Sequence, residues 1–571
     1  MNKKKITPID GINAYDGEEF KNKGITELFT KINSIINKYK NDDSYRIYLN
    51  ITGGYKGVVP YATLQGMLYP EKVTICYLYE SSLEIIEIPK YPIGVDYHKW
   101  EKNVVRLKMI DKGEEDFKKN LAPEIENLIK NGHLDTLGKQ LQDKYESESK
   151  DARLEVYSKE IINILLKDTP KDNLSYYREK LEGMITKAGV HIWTGDKIPE
   201  MVEHARRHHH NLLKFAEQFF TFDKDKKFFN INERFCLIAG ILLHDCGHSL
   251  NFIKIKNEEI PLFPNEIRDF HHFLSVQRLN NDKMADDLGW IEIKKFNLNL
   301  SEAILEVCLN HRRRMPFDKD DNEKGVKYLS NERELKLEDK KEKFIDIDIM
   351  KIVAFMRIID GCDNQVGRAG KKNEITIACN LIDKDYEILK NKAKDAFEAY
   401  KHCCILAHEG NDELKKGCIY IENDNGNIKL KKEYINFKKI CLEKLKNGSD
   451  IEKTLATVWL TAAEFIDIAS MRFSHKDHYI KHQCVKEVLI YHPKDSLEFD
   501  IVLYPNNEEG IADVYLNESR KKLIEKEVSD EYKEVEKYLY NTYKIKLRYW
   551  WEKEYNKFIN NEKSSPFYPL K

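Results

Sequence analysis

Residues 236–248 read Cys236-Leu-Ile-Ala-Gly-Ile-Leu-Leu-His244-Asp245-Cys-Gly-His248. An unbroken apolar run followed by polar groups predicts a buried helix, and this helix ends in an imidazole and a carboxylate. Burying an ionised carboxylate costs several kcal/mol unless a cation or hydrogen bonds compensate for the lost hydration. A bound metal ion is therefore the simplest reason to find both groups at the end of a buried helix.

Other segments bring metal-binding side chains to a helical face in the same way. His204 and His208 are four residues apart and so share one face of a predicted helix. Apolar residues spaced i, i+3, i+4, i+7 place His311 at the end of one inward stripe, and the same spacing places Asp360 at the end of another. Taken alone, each of these residues reads as an ordinary buried or capping side chain. Together they predict a metal site.

The order of these residues resembles the signature of a known superfamily. His208, His244-Asp245 and Asp360 are similar to the H…HD…D motif of the HD metal-dependent phosphohydrolases, which have an all-helical fold. Two more histidines resemble the fuller ligand set of the larger HD subgroups: His272 in Arg268-x-x-x-His272-x-x-Ser275, and His311 in Asn310-His311. The metal ligands that the resemblance implies are His208, His244, Asp245, His272, His311 and Asp360.

Imidazole and carboxylate ligands without thiolate suit Mn, Fe, Ni, Co, Mg or Zn. Such an ion polarises a phosphoryl oxygen and lowers the pKa of a water that it binds from about 16 toward about 7. If two ions bind, we expect Asp245 to bridge them, with His272 and His311 completing the second ion's ligands. If one ion binds, those two histidines contact the substrate or act as general acid or base. The sequence leaves both cases open.

A run of three arginines, Arg312-Arg313-Arg314, follows His311 directly. The guanidinium group matches the geometry of phosphate, so we expect one of them, Arg312 first, to clamp a substrate phosphate. The alternative is a solvated basic turn before Met315-Pro316.

The N-terminal part carries a second signal, in which residues 44–60 predict a strand, a glycine-rich turn and a helix. Turns of this kind present backbone N–H groups to an anion. This segment resembles the CARF domain of CRISPR-associated sensors. CARF domains are Rossmann-like, form dimers and bind cyclic oligoadenylate across the dimer interface. The residues that correspond to the nucleotide-contacting loop are Asn50, Thr52, Gly53, Gly54 and Lys56. Complete CARF domains have an earlier strand and loop before this motif, whereas only 49 residues precede Asn50 here, so we expect the first half of the fold to be absent. A truncated start, a minimal CARF half and a lost sensor are the three explanations that stay open.

Composition narrows the class of protein only a little. The 571 residues have room for several domains. Lys and Arg total 94 against 96 Asp and Glu, a balance that gives no overall attraction to nucleic acid. The eleven cysteines include no Cys-x-x-Cys, which argues against a thiolate zinc site. No apolar segment follows Met1-Asn-Lys-Lys-Lys5, and the longest apolar run, 235–243, is too short to span a membrane. We expect a cytoplasmic protein.

These landmarks predict a multidomain chain of mixed α/β and all-α folds. We expect a CARF-like, Rossmann-like domain over 1–98, a helical connector over 99–195, an HD domain over 196–480, and a C-terminal β-hairpin with helices over 481–571. The last of these segments is expected to close with a charged helical tail that ends at Tyr549-Trp550-Trp551. The favoured function is a metal-dependent phosphohydrolase of CRISPR defence that cyclic oligoadenylate activates, that cleaves nucleotides such as ATP or dATP, and that forms a homodimer or a higher oligomer.

Three other functions stay open at this point. An HD nuclease would act on single-stranded DNA or RNA. A metal-independent, HEPN-like ribonuclease is suggested by the spacing in Arg472-Phe-Ser-His-Lys-Asp-His478. A non-catalytic scaffold would sense the nucleotide and keep the HD ligands for structure alone.

Overall fold

The structure is a computed structural model. It describes residues 7–13, 15–39, 45–53, 55–69, 72–79, 84–89, 100, 103, 107, 110–111, 121, 123–147, 150–167, 171–187, 190, 204–221, 228–255, 258–318, 336–365, 372–407, 412–424, 427–431, 433–491, 498–507 and 510–559. The chain divides into two compact units, Met1–Arg153 and Leu154–Lys571. It is largely helical with small sheets, which agrees with the predicted mixture of α/β and helical domains. The domain boundaries at 98, 195 and 480 stay predictions.

The first unit contains a small sheet with helices beside it. Its helices are α1 (Gly17–Glu19), α2 (Ile25–Tyr39), α3 (Val59–Met67), α4 (Pro123–Glu126), α5 (Thr136–Ser147) and the start of α6 (Lys150–Leu165), and its strands are β1 (Ile47–Asn50), β2 (Val73–Tyr79), β3 (Glu84–Glu87), β4 (Ile129–Lys130) and β5 (His133–Leu134). Strands β1 and β2 are parallel and α3 connects them, while β3 pairs antiparallel with β2. This order matches the strand, turn and helix that the sequence predicts.

The second unit is built mainly from helices. These are α7 (Lys171–Thr186), α8 (Arg206–Thr221), α9 (Ile231–Leu243), α10 (Pro264–Asn280), α11 (Asp282–Ala285), α12 (Trp290–Phe296), α13 (Leu298–Asn310), α14 (Ile349–Cys362), α15 (Lys372–Leu406), α16 (Asp412–Lys415), α17 (Tyr434–Asn447), α18 (Asp450–Cys484), α19 (Ile511–Tyr515), α20 (Glu518–Tyr543) and α21 (Glu552–Ile559). Its strands are β6 (Phe252–Ile255), β7 (Glu258–Pro261), β8 (Ile421–Asp424), β9 (Asn427–Leu430), β10 (Val485–Tyr491), β11 (Glu498–Pro505) and β12 (Lys546–Trp551).

Helix α9 is the centre of the main hydrophobic core. Its N-terminus is closed by a capping box, in which Asn230 and Glu233 each accept a hydrogen bond from the other's backbone N–H. Every residue from Phe235 to Leu243 is buried, and each large apolar side chain buried in this way contributes about 1.5–3 kcal/mol. Gly240 lets α13 approach closely, because a Cβ at this position would lie 2.5 Å from the Val307 side chain. The last turn of α9, which leads into His244, is therefore fixed on all sides.

The C-terminal part corrects one expectation from the sequence. The two predicted strands of the hairpin are present as β10 and β11, which pair antiparallel. The residues around Tyr549-Trp550-Trp551, expected to end a helical tail, instead form strand β12, which pairs parallel with β11. The prediction failed because bulky aromatic side chains favour a strand wherever a sheet edge can bury them, and all three are buried against this sheet.

Helix α18 contains a stretch, Asp450–Met471, that is long and apolar enough to cross a membrane, and half of that stretch is buried inside the unit. Leu455, Trp459 and Ile466 belong to a second hydrophobic core, shared with α15 and α17. Helix α18 therefore has the burial of a core helix in a folded domain.

Candidate metal centre

The cluster of histidines and aspartates lies where several helices of the second unit meet. His208 is in the first turn of α8, His244 and Asp245 follow the last turn of α9, and His311 follows the last residue of α13. Asp360 is in the last turn of α14. Since each helix is held by its buried apolar face, the position of each polar side chain is set by core packing.

The first group of ligand atoms has the composition of the HD signature. The Nε2 atom of His208 lies 3.2 Å from Nε2 of His244 and 3.2 Å from Oδ1 of Asp360. The Oδ2 atom of Asp245 lies 3.3 Å from Nε2 of His244 and 3.7 Å from Nε2 of His208. Two imidazoles and two carboxylates therefore surround one small volume.

A second group of ligand atoms surrounds the other oxygen of Asp245. Its Oδ1 atom lies 3.2 Å from Nε2 of His271, 3.7 Å from Nε2 of His311 and 3.9 Å from Nε2 of His248. The Nε2 atoms of His271 and His311 are 3.0 Å apart. Because each oxygen of Asp245 faces a different group, this carboxylate is placed to bridge two cations.

The other nitrogen of each central histidine lies within hydrogen-bond distance of a carbonyl or carboxylate oxygen, and His271 Nδ1 also lies 3.3 Å from Arg312 Nη1. His208 Nδ1 donates to Asp363 Oδ2 at 2.6 Å, His244 Nδ1 to the Ile241 carbonyl at 3.0 Å, His271 Nδ1 to the Arg268 carbonyl at 2.7 Å, and His311 Nδ1 to the Cys308 carbonyl at 2.8 Å. An acceptor fixes the hydrogen on Nδ1 and leaves the Nε2 lone pair free, as is usual for histidines that bind metal.

This arrangement tests whether the residues fit a cation. Two neutral histidines whose Nε2 lone pairs face each other have no hydrogen to share, yet the pairs His208–His244 and His271–His311 approach to 3.2 and 3.0 Å. Facing lone pairs at such distances repel unless a positive charge lies between them. The donor set of imidazoles and carboxylates suits a divalent cation, so the residues fit the metal that the sequence predicts.

Burial keeps His248, His271 and His311 uncharged. It lowers the pKa of His248 and of His311 to about 3, and it lowers the pKa of His271 well below its ordinary value. Burial acts in the opposite direction on Asp245, but the nearby His244 and His204 outweigh it, and the pKa of this carboxyl lies well below its usual range. At neutral pH His248, His271 and His311 are therefore neutral beside an ionised Asp245, the protonation states that metal binding requires.

Five of the six predicted metal ligands lie together in the cluster, and the sixth, His272, does not. His272 is fully buried, its ring nitrogens have no hydrogen-bond partner among the described residues, and its ring centroid is 6.4 Å from that of His311. His271 takes the place that was predicted for His272. Helix α10 is turned this way because Ser275 Oγ donates to the His244 carbonyl and accepts from Gly247 N–H.

Two further members of the cluster were not predicted as ligands. His204 Nδ1 lies 2.9 Å from Asp245 Oδ2, and His248 stacks on His271 with ring centroids 4.2 Å apart. Their spacing in the sequence, four residues before His208 and four after His244, was the available signal.

A cavity of about 450 Å³ opens beside the cluster, and Asp245, His311 and Asp360 line it. A volume of this size suits a small molecule. Helices α18 and α20 contribute to its wall through residues that include His478 and Glu531. The side chain of Arg472, which the HEPN-like alternative requires, lies outside the described residues.

The three arginines at 312–314 differ in their partners: two of them pair with carboxylates and Arg312 contacts a backbone carbonyl. Arg313 is paired with Asp530 at 3.1 Å, and Arg314 with Asp269 at 3.0 Å. Arg312 donates through Nη1 to the Arg268 carbonyl at 2.6 Å, and Arg268 and Arg312 both line the cavity. Within the described part of the chain, neither Arg268 nor Arg312 has a carboxylate within ion-pair distance. These two cations are therefore available to an anion in the cavity.

The predicted nucleotide loop of the first unit is an ordered turn at the end of β1. Asn50 Oδ1 accepts hydrogen bonds from Thr52 N–H at 3.0 Å and from Thr52 Oγ1 at 2.6 Å, and Thr52 Oγ1 accepts one from Leu78 N–H. Asn50, Gly53 and Lys56 are exposed, Thr52 is partly buried, and Gly54 lies outside the described residues. The turn therefore presents polar groups to solvent at the end of a parallel strand.

We expect Asp363→Asn to weaken metal binding about 10- to 100-fold, the usual effect of losing a carboxylate behind a metal-bound histidine. Buried Asp363 accepts from His208 Nδ1 and, at 2.9 Å, from Asn211 Nδ2. Asparagine keeps the size of the side chain but removes the charge that makes Nε2 a better donor to metal. Titration of the metal-free protein with Mn²⁺ measures the change. Asp346→Asn is the matched control, because Asp346 is exposed and its φ of 55° suits asparagine, and equal affinity in both variants would contradict this role of Asp363.

Comparison with known families gives two matches. Residues 1–91 match the family described as CRISPR-associated protein (Cas_APE2256), and residues 198–374 match the family described as HD-CE. No curated protein matches the chain. The HD-CE match contains every residue of the candidate metal cluster, and helices α18 and α20 lie beyond it.

Proposed function

We propose that this chain, which joins a CRISPR-associated segment to an HD-family domain, is a metal-dependent phosphohydrolase of nucleotides that cyclic oligoadenylate activates. The observation that carries the proposal is the convergence of histidine Nε2 atoms on both oxygens of Asp245. A divalent cation held there supplies Lewis-acid polarisation of a phosphoryl oxygen and acidifies water. Phosphoester and phosphoanhydride bonds, as in ATP or dATP, are the bonds that such chemistry cleaves.

The cavity supports a phosphate-bearing substrate of small size. Arg268 and Arg312 line it, and an arginine fork binds phosphate oxygens through paired hydrogen bonds. His311 and Asp360 line the same cavity, so a phosphate bound by the arginines would share the cavity with the ligand cluster. Holding a substrate in its reactive orientation accounts for a large share of the rate enhancement by an enzyme.

Control by cyclic oligoadenylate rests on the first unit. The turn Asn50–Thr52 is held by its own hydrogen bonds, and Lys56 is exposed beside the start of α3. Backbone N–H groups and one cation at such a turn suit the phosphates of a ring nucleotide. We propose that the ring favours one of two states of the protein, since a ligand shifts an equilibrium only by binding one state more tightly, and that the active form is a homodimer or a higher oligomer.

The test is a panel assay on the full chain. Nucleotides, single-stranded RNA and single-stranded DNA are incubated with Mn²⁺, with and without each cyclic oligoadenylate. We expect release of a nucleotide product that one ring size stimulates, that EDTA abolishes, and that Asn50→Ala makes insensitive to the ring while basal turnover is unchanged. Metal-dependent cleavage of the polymers alone would favour the nuclease, cleavage in EDTA the HEPN-like ribonuclease, and bound metal without any turnover the scaffold.

A further inference from the structure

Helix α20 is fastened to the helices of the metal centre by ion pairs. Arg313 lies 3.1 Å from Asp530 and 3.1 Å from Glu534, and the buried Arg357 of α14 lies 3.6 Å from Glu534. Apolar residues on the same helix, among them Val535, join the main hydrophobic core. Because the carboxylates at 530 and 534 are held on either side of it, the position of Glu531 is set by contacts other than its own.

Glu531 is thereby brought next to the residue that follows a metal ligand. An ideal Cβ placed on Gly361 would lie 3.1 Å from Glu531 Cγ and 3.4 Å from its Cβ. A glycine directly after Asp360 is therefore what allows the two helices to approach so closely. The carboxyl group lines the same cavity as Asp245 and Asp360. Its Oε2 atom is buried and has no hydrogen-bond partner among the described residues, which is costly unless a ligand supplies one.

We propose that Glu531 is a catalytic residue of this site, the one that donates a proton to the leaving oxygen of the substrate. The proposal rests on the proposed function and adds to it a residue from outside the HD-CE match. Three observations support it: the close approach of Glu531 to Gly361, the buried Oε2 atom of Glu531 without a hydrogen-bond partner among the described residues, and the cavity that Glu531 shares with Asp245 and Asp360.

The chemical step balances as follows. Water adds to phosphorus and forms a P–O bond, the bond from phosphorus to the leaving oxygen breaks, and that oxygen takes the proton of the Glu531 carboxyl. The attacking water loses its proton to solvent, and the carboxylate left on Glu531 takes a proton back from solvent before the next turnover. No oxidant or further reactant is needed. General acid catalysis of this type is worth about 10²- to 10⁴-fold.

The experiment compares two leaving groups. An alkoxide such as the 5′ oxygen of a nucleoside needs a proton as it leaves, whereas p-nitrophenolate does not. We expect Glu531→Gln to lower kcat about 10²- to 10⁴-fold on the nucleotide ester and to lower it much less on the p-nitrophenyl ester, with metal content unchanged. Gly361→Ala displaces the carboxyl and should show the same selective loss.

Glu527→Gln is the matched control, because Glu527 lines the same cavity one helical turn earlier and pairs with Lys481. We expect it to affect both esters equally. Equal losses on both esters in Glu531→Gln, or loss of its metal, would give Glu531 a structural role and overturn the proposal. A wild-type chain that binds metal but hydrolyses neither ester would instead remove the proposed function, and the role of Glu531 with it.

Discussion

Asp245→Ala is expected to abolish hydrolysis and metal binding together while the protein stays folded. Both of its oxygens face histidine Nε2 atoms, Oδ2 toward His244 and Oδ1 toward His271. No other described residue has an oxygen in both groups. If two cations bind, losing the residue whose oxygens face both groups affects both positions at once. We expect activity to fall by at least about 10³-fold, since losing even a residue that is hydrogen-bonded to a metal ligand costs 10- to 100-fold in metal affinity or activity.

The fold should survive because the polar contacts of the Asp245 side chain, among the described residues, are with histidines of the cluster, such as His204 Nδ1 at 2.9 Å. Its side chain caps no helix, and the apolar core around α9 does not involve it. Metal analysis of the purified variant, with circular dichroism and thermal unfolding, separates loss of the metal from loss of the fold. Asp269→Ala is a suitable control, since Asp269 pairs with Arg314 outside the cluster. A variant that keeps its metal and its turnover would contradict the two-cation arrangement.

The parts of the site that the sequence predicts are those that end an apolar stripe. His311 and Asp360 follow the spacing i, i+3, i+4, i+7, and in both cases the buried face of the helix carries the polar group inward with it. His244 and Asp245 are predictable for a different reason: the apolar run before them has no exposed face, so the residues that end it are buried as well. For His311 and Asp360, local periodicity decides which way the side chain points.

Other parts of the site depend on contacts that periodicity does not contain. Glu531 is one of many acidic residues on a charged helix, and only the pairing of its neighbours with Arg313 and Arg357 brings it to the cavity. Strand β12 was expected as part of a helical tail, since the edge of β11 that receives it lies some fifty residues earlier in the chain. Both features arise between segments far apart in sequence, where a single sequence carries little signal.

Which of His271 and His272 faces the cluster also depends on contacts between different segments of the chain. Adjacent residues on a helix point about 100° apart, so either could have faced the cluster, and both precede Ser275 by roughly one turn. The hydrogen bonds of Ser275 to the backbone at His244 and Gly247 settle the rotation of α10. Gly247 contributes by allowing close contact, because a Cβ there would overlap the backbone of α10.

His271→Ala and His272→Ala are therefore expected to differ sharply. His271→Ala removes a ligand atom 3.2 Å from Asp245 Oδ1, and we expect loss of one of two bound ions and a fall in turnover of about 10²- to 10³-fold. His272→Ala removes a buried ring that packs against Phe273. We expect it to keep both ions and to lower the free energy of unfolding by about 2–3 kcal/mol through the void it leaves.

Metal stoichiometry and thermal unfolding of the two variants provide the comparison. If instead His272→Ala lost an ion and His271→Ala kept both, α10 would have to be turned by one residue and the second group of ligands redrawn around His272.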